Sequence, residues 1–123
     1  MIIGSISENK DLEKRVSITP DLIKKYISQG LKVFIEKNYG DHLGFSNNIY
    51  LNEGCEIENR ENVLKKSDVI LQLNLPEEKN LEIIDENKSL IGIFNLNENK
   101  EKLIILANKK INIFSLELLP RIT

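Results

Sequence analysis

Arg15 is the residue whose type and place could do the most chemistry. It lies in Lys14-Arg15-Val16-Ser17-Ile18-Thr19-Pro20, between a first strand-like run and a first helical pattern. A guanidinium in such a loop can grip a carboxylate with two parallel hydrogen bonds. Position alone favours the plainer reading, a solvated loop arginine. His42 follows Asp41 in a turn; it reads as an exposed loop histidine, with acid–base work as the alternative. Cys55, beside Gly54, reads as a small core residue and not as a reactive thiol. Gly40 and Gly44 read as turn formers.

Several chemistries are excluded by what these 123 residues lack. There is no Gly-x-Gly-x-x-Gly and no Gly-x-x-x-x-Gly-Lys-Ser/Thr, so neither backbone cradle for phosphates can be drawn. One Cys and one His cannot close a zinc site, and no metal site is expected. A Gly-x-Ser-x-Gly elbow is missing as well. A hydrolase or a self-contained dehydrogenase has little support, and no catalytic residue is assigned. The net charge of −2 is no footprint for nucleic acid. The longest apolar runs are four or five residues, as at 103–107, so no span of a bilayer is expected. With no signal-like start and a lone Cys55, a cytoplasmic location is the default expectation.

The elements that must position these residues alternate. Strands are expected over 2–6, 32–36, 55–57, 68–73, 89–94 and 111–116. Helices are expected from Pro20, with Thr19 as N-cap and Gly30 as stop, and from a Ser46 cap to near Gly54. Others are expected from Asn59 to Lys66, from Pro76 to about Ile84, and from Asn97 to Asn108. Strands separated by helices of about ten residues make βαβ units and a parallel sheet. The expectation is one α/β domain over 1–123: three layers, a mostly parallel sheet of five to six strands with flanking helices, flavodoxin- or Rossmann-like but without a dinucleotide fingerprint. In such a sheet ligands gather at the carboxyl ends of the strands, where the Arg15 loop must lie. The chain stops at Thr123 directly after a strand, and a further element is expected to follow.

Four motifs in order then resemble a known family. They are Ile3-Gly4-Ser5 with Glu8 and Arg15-Val16-Ser17-Ile18-Thr19-Pro20; Gly30-Leu31-Lys32-Val33 with Glu36, Gly40, Phe45-Ser46 and Gly54-Cys55-Glu56-Ile57; Ser67 through Pro76; and Leu118-Leu119-Pro120-Arg121-Ile122-Thr123. The set is similar to the N-terminal domain shared by the NAD(P) transhydrogenase alpha subunit and alanine dehydrogenase, and the closing motif favours the transhydrogenase branch. That resemblance implies Arg121 at the nicotinamide end of NAD, and Arg15, Gln72 and Asn95 around a substrate cleft. Alanine dehydrogenase would place a lysine and a histidine where Gln72 and Asn95 stand. Gln72 removes a cation and Asn95 cannot act as a general acid, so that activity fits less well.

The resemblance also implies that NAD is held through a second, dinucleotide-binding domain and NADP on a partner subunit, with transhydrogenase membrane or beta subunits as partners. The location would then be cytoplasmic, peripheral to the inner membrane through those subunits, and this chain alone would be inactive and hold neither cofactor tightly. A non-catalytic docking module, or one that binds a small carboxylate through Arg15, is the alternative.

Overall fold

The computed structural model describes residues 1–116; Arg121 lies outside the described residues. Six strands form one sheet: β1 Ile2–Ser5, β2 Lys32–Glu36, β3 Glu56–Glu58, β4 Val69–Leu71, β5 Ser89–Gly92 and β6 Asn112–Ser115. Their spatial order is β3-β2-β1-β4-β5-β6. Every neighbouring pair is parallel, as the βαβ alternation requires. The order reverses between β1 and β4, where Ile3 pairs with Val69 and Gly4 with Ile70. Crevices outside the carboxyl ends of strands open at such a switch point.

The helices are α1 Pro20–Ser28, α2 Asn47–Asn52, α3 Arg60–Lys66, α4 Glu78–Leu81 and α5 Lys100–Asn108. Two apolar clusters fill the space between helices and sheet. One gathers Phe34, Val63, Leu64, Ile70, Leu90 and Leu106; the other gathers Ile3, Ile18, Ile23, Val33, Ile35 and Tyr50. Alternation along the strands produces this split: Ile3, Val33 and Ile35 face one cluster while Phe34 faces the other.

Local chemistry starts and stops these helices. The side chains of Ser46 and Asn59 accept from the Ile49 and Asn62 amides, capping α2 and α3. Thr19 has the extended backbone of an N-cap, yet its side chain makes no capping bond; its carbonyl takes Leu22 N and Ile23 N at 3.1 and 3.3 Å. Gly30 ends α1 with φ +85°.

Two expected helices are shorter than their apolar spacing suggests. α4 is a single turn; beyond it Ile83 N and Ile84 N bond the Asn80 and Leu81 carbonyls three residues back, and Lys109 Nζ also reaches the Leu81 carbonyl at 3.2 Å. The helix expected from Asn97 begins at Lys100 instead. Before it, Asn95 sits at φ +49° and a 3₁₀ turn covers Leu96–Glu98. Asn99 Nδ2 donates to the carbonyls of Phe94 and Asn95 at 2.8 and 3.2 Å, competing with the helical ladder.

Candidate ligand cleft

A cleft of about 630 Å³ opens over the switch point. Its walls are the loops that follow β1, β4 and β5, carrying Glu8, Gln72, Asn74 and Asn95. Parallel strands put all three loops at one end of the sheet, so residues far apart in sequence meet here.

Gln72 holds the β1 and β4 loops together. It is 3% exposed. Its Oε1 accepts from Ile6 N at 2.7 Å and lies 3.1 Å from Ser5 Oγ. Its Nε2 donates to Ile6 O at 3.1 Å and to Glu8 Oε2 at 2.6 Å. The side chain thus extends the pairing of β1 with β4 past the point where the strands part, and its amide is used internally. Expected as a residue of the substrate cleft, Gln72 lines it as a structural tie.

Glu8 is the residue that sequence reasoning named only inside a motif. Its carboxylate accepts from Leu73 N at 3.0 Å, Asn74 N at 3.2 Å and Gln72 Nε2. Burial pushes its pKa above the ordinary carboxylate value, while the Leu73 and Asn74 amides pull the other way. Backbone amides that could receive a ligand's phosphate are therefore filled by a carboxylate of the chain itself. A signal for Glu8 existed: an acid three residues past a β1 strand must lie at the strand's carboxyl end.

Arg15 sits at the rim, 71% exposed, and not among the residues that line the cleft. Its Nε and Nη2 grip both oxygens of Glu13 at 2.9 and 3.0 Å. The carboxylate expected from a ligand is here supplied by a neighbour two residues away. Hydrogen bonding by Arg15 draws the Glu13 pKa down to about 2. Asn95 lines the cleft from the turn after β5, exposed. The lining cations are Arg60 and Lys102, and Arg60 Nε is already paired with Glu36 Oε1 at 3.0 Å.

Tyr39 fixes the Arg15 loop from below. Its hydroxyl accepts from Ser17 N at 3.0 Å and Ile18 N at 3.2 Å and lies 2.9 Å from Ser5 Oγ. Ser5 Oγ lies 2.6 Å from Leu71 O and gives its one proton there, so Tyr39 donates to Ser5.

The other sequence candidates fall away from this cleft. His42 is exposed, and its Nε2 lies 2.7 Å from Lys14 O, tethering the Arg15 loop. Cys55 is buried, and burial pushes its thiol up to about 11, which makes it inert near neutrality. Gly40 is needed for space: a Cβ there would lie 2.8 Å from Phe45 Cβ and from Tyr50 Cε2. Among the described residues no group of three His, Cys, Asp or Glu side chains could hold a metal, and no helix is long and apolar enough to cross a membrane.

Known proteins share this arrangement. A crystal structure of transhydrogenase from Sinorhizobium meliloti superposes over 100% of this chain and 37% of its own, with a TM-score of 0.93 and 26% identity. A solved L-alanine dehydrogenase superposes over 94% of this chain and 32% of its own, with a TM-score of 0.87; at 21% identity it shows the fold alone. In sequence, alanine dehydrogenase 1 of Staphylococcus aureus is 33% identical over 101 residues, 82% of this chain. The chain spans only 27% of the length of that relative. The family described as "Alanine dehydrogenase/PNT, N-terminal domain" matches residues 4–123. This chain belongs to the alanine dehydrogenase/PNT N-terminal domain family.

Proposed function

We propose that the chain is the N-terminal part of an NAD(P) transhydrogenase alpha subunit, and that its cleft forms one wall of the site where NAD(H) exchanges hydride with NADP. One observation carries this reading. The loops after β4 and β5 present neutral amides, Gln72 and Asn95, where an amino-acid dehydrogenase would want groups that take up and release protons. Hydride passage between two nicotinamide rings needs no proton at the reacting carbons. Oxidation of an amino acid to a keto acid does. The 33% identity to an alanine dehydrogenase favours the second reading, and Asn95 argues against it.

The cleft fits one end of NAD and not the other. Glu8 occupies the Leu73 and Asn74 amides, so the pyrophosphate has no cradle here and would be held by a dinucleotide-binding domain. Asn74, Asn95 and, from the resemblance, Arg121 would face the nicotinamide end. When bound, NADH supplies the hydride. The chain's own share is to orient the ring and to wall it from water. Partner subunits would supply the NADP site and the membrane segment. In the complete assembly, Asn95→Ala and Arg121→Ala should each lower hydride transfer from NADH to NADP while circular dichroism stays unchanged. Unchanged rates in both variants would defeat the assignment.

A further inference from the structure

We propose that Glu8 is a proton-operated latch across the floor of the cleft: its ionised carboxylate ties the loop after β4 to the loop after β1, and taking up a proton loosens that tie. Direct pairing of β1 with β4 ends early, at Gly4 and Ile70. Past that point side chains join the two loops, and Glu8 reaches furthest along the turn at 72–74. Its Oε2 accepts from Gln72 Nε2 at 2.6 Å and from Leu73 N at 3.0 Å. Its Oε1 accepts from Asn74 N at 3.2 Å, with Asn74 Nδ2 at 3.5 Å. Each of these four groups is a donor. An ionised carboxylate, which only accepts, matches them. A carboxylic acid carries an O–H with no acceptor among the four, so one oxygen must turn away and the turn loses part of its hold.

The latch is closed against a cost. Burial pushes the Glu8 pKa above its ordinary 4.5; the Leu73 and Asn74 amides pull it down, and the Glu13 charge adds to the rise. A proton therefore relieves a buried charge and removes an acceptor in one step. The charged and titratable groups around Glu8 come from every wall: Glu13 and Arg15 on its own loop, Tyr39 beneath, Arg60 on α3, Glu77 before α4, and Glu98 and Lys102 opposite. Hydrogen bonding to Arg15 keeps Glu13 ionised down to about 2, and burial keeps the Tyr39 hydroxyl protonated. Neither changes charge in mild acid. Of the three, Glu8 does.

Amide NMR of the full chain, followed from neutral pH into mild acid, tests the latch. The Leu73 and Asn74 N–H signals and the Gln72 side-chain amide should move along one curve with a midpoint above 4.5, all towards weaker hydrogen bonding. Exchange at Leu73 and Asn74 should quicken by about tenfold beyond its ordinary pH dependence, because each amide loses a charge-assisted bond. In Glu8→Gln the three signals should stand near the acid end-point at every pH, and the curve should vanish. Glu13→Gln leaves the latch in place and removes a neighbouring negative charge, so the curve should remain with a lower midpoint. Signals that do not move together, or a midpoint at or below 4.5, overturn the proposal. So does a curve that persists in Glu8→Gln, or a midpoint that stays or rises in Glu13→Gln.

Discussion

Tyr39→Phe removes one oxygen and leaves the ring in place. In the wild type that oxygen serves two backbone donors, Ser17 N and Ile18 N, from a side chain 1% exposed. The edge-on contact with Tyr50, at 5.8 Å between centroids, is kept, so little packing changes. Ile18 is fully buried, and its orphaned N–H should cost about 1–3 kcal/mol. Ser17 is half-buried, so water can partly replace the lost acceptor, at about 1 kcal/mol. Ser5 keeps its bond to Leu71 O and adds little. The sum is about 2–4 kcal/mol, or roughly 8–20 °C in Tm for a domain of this size. Urea unfolding of both proteins measures the loss, and amide exchange should quicken most at Ser17 and Ile18. A change below about 0.5 kcal/mol, with unaltered exchange at those two amides, would refute the assignment of Tyr39 as the anchor of the Arg15 loop.

Three further outcomes follow from the same structure. Gly92→Ala puts a Cβ 1.9 Å from the Gln72 carbonyl oxygen, so β4 and β5 must part; a loss of about 3 kcal/mol or more in urea unfolding is expected, and a near-neutral result would contradict the close approach. Cys55, with its pKa raised from 9.0 to about 11, has about a hundredfold less thiolate than an ordinary thiol; iodoacetamide should modify it at least that much more slowly in the native chain than in urea. Glu8 and Glu13 pull stability in opposite directions with pH. Glu8 has a native pKa above 4.5, so the native state holds its proton longer, and stability falls as pH rises from 4.5 through the native value. Glu13, lowered to about 2, contributes stability that is present above 4.5 and lost as pH falls towards 2. In urea midpoints measured across pH, Glu8→Gln should flatten the fall on the alkaline side and leave the acid-side loss; an unchanged alkaline side would sink the burial assigned to Glu8.

Elements whose signals are local were legible in the residues. β2 has the expected bounds, Lys32–Glu36, because a short apolar run lies between Gly30 and a polar loop. The Ser46 and Asn59 caps act as read, since a cap and its amide are three residues apart. Local spacing misled at α4, where the bonds after Leu81 tighten to partners three residues back. The cleft was legible in place but not in chemistry. Strand alternation put the Arg15, Gln72 and Asn95 loops at one end of a parallel sheet. Whether each side chain was free or spent depended on contacts that spacing does not reveal. Gln72 is spent on Ile6, 66 residues away. Arg15 is spent on Glu13, close in sequence but joined only because the loop folds back.

Neutral amides at Gln72 and Asn95 suit hydride exchange and ill suit amino-acid oxidation, and one comparison of rates separates the two. In the complete assembly that contains this chain, NADH-dependent reduction of NADP should proceed, and alanine-dependent reduction of NAD should stay at background. Alanine oxidation at a rate equal to or above the nucleotide exchange would contradict the assignment.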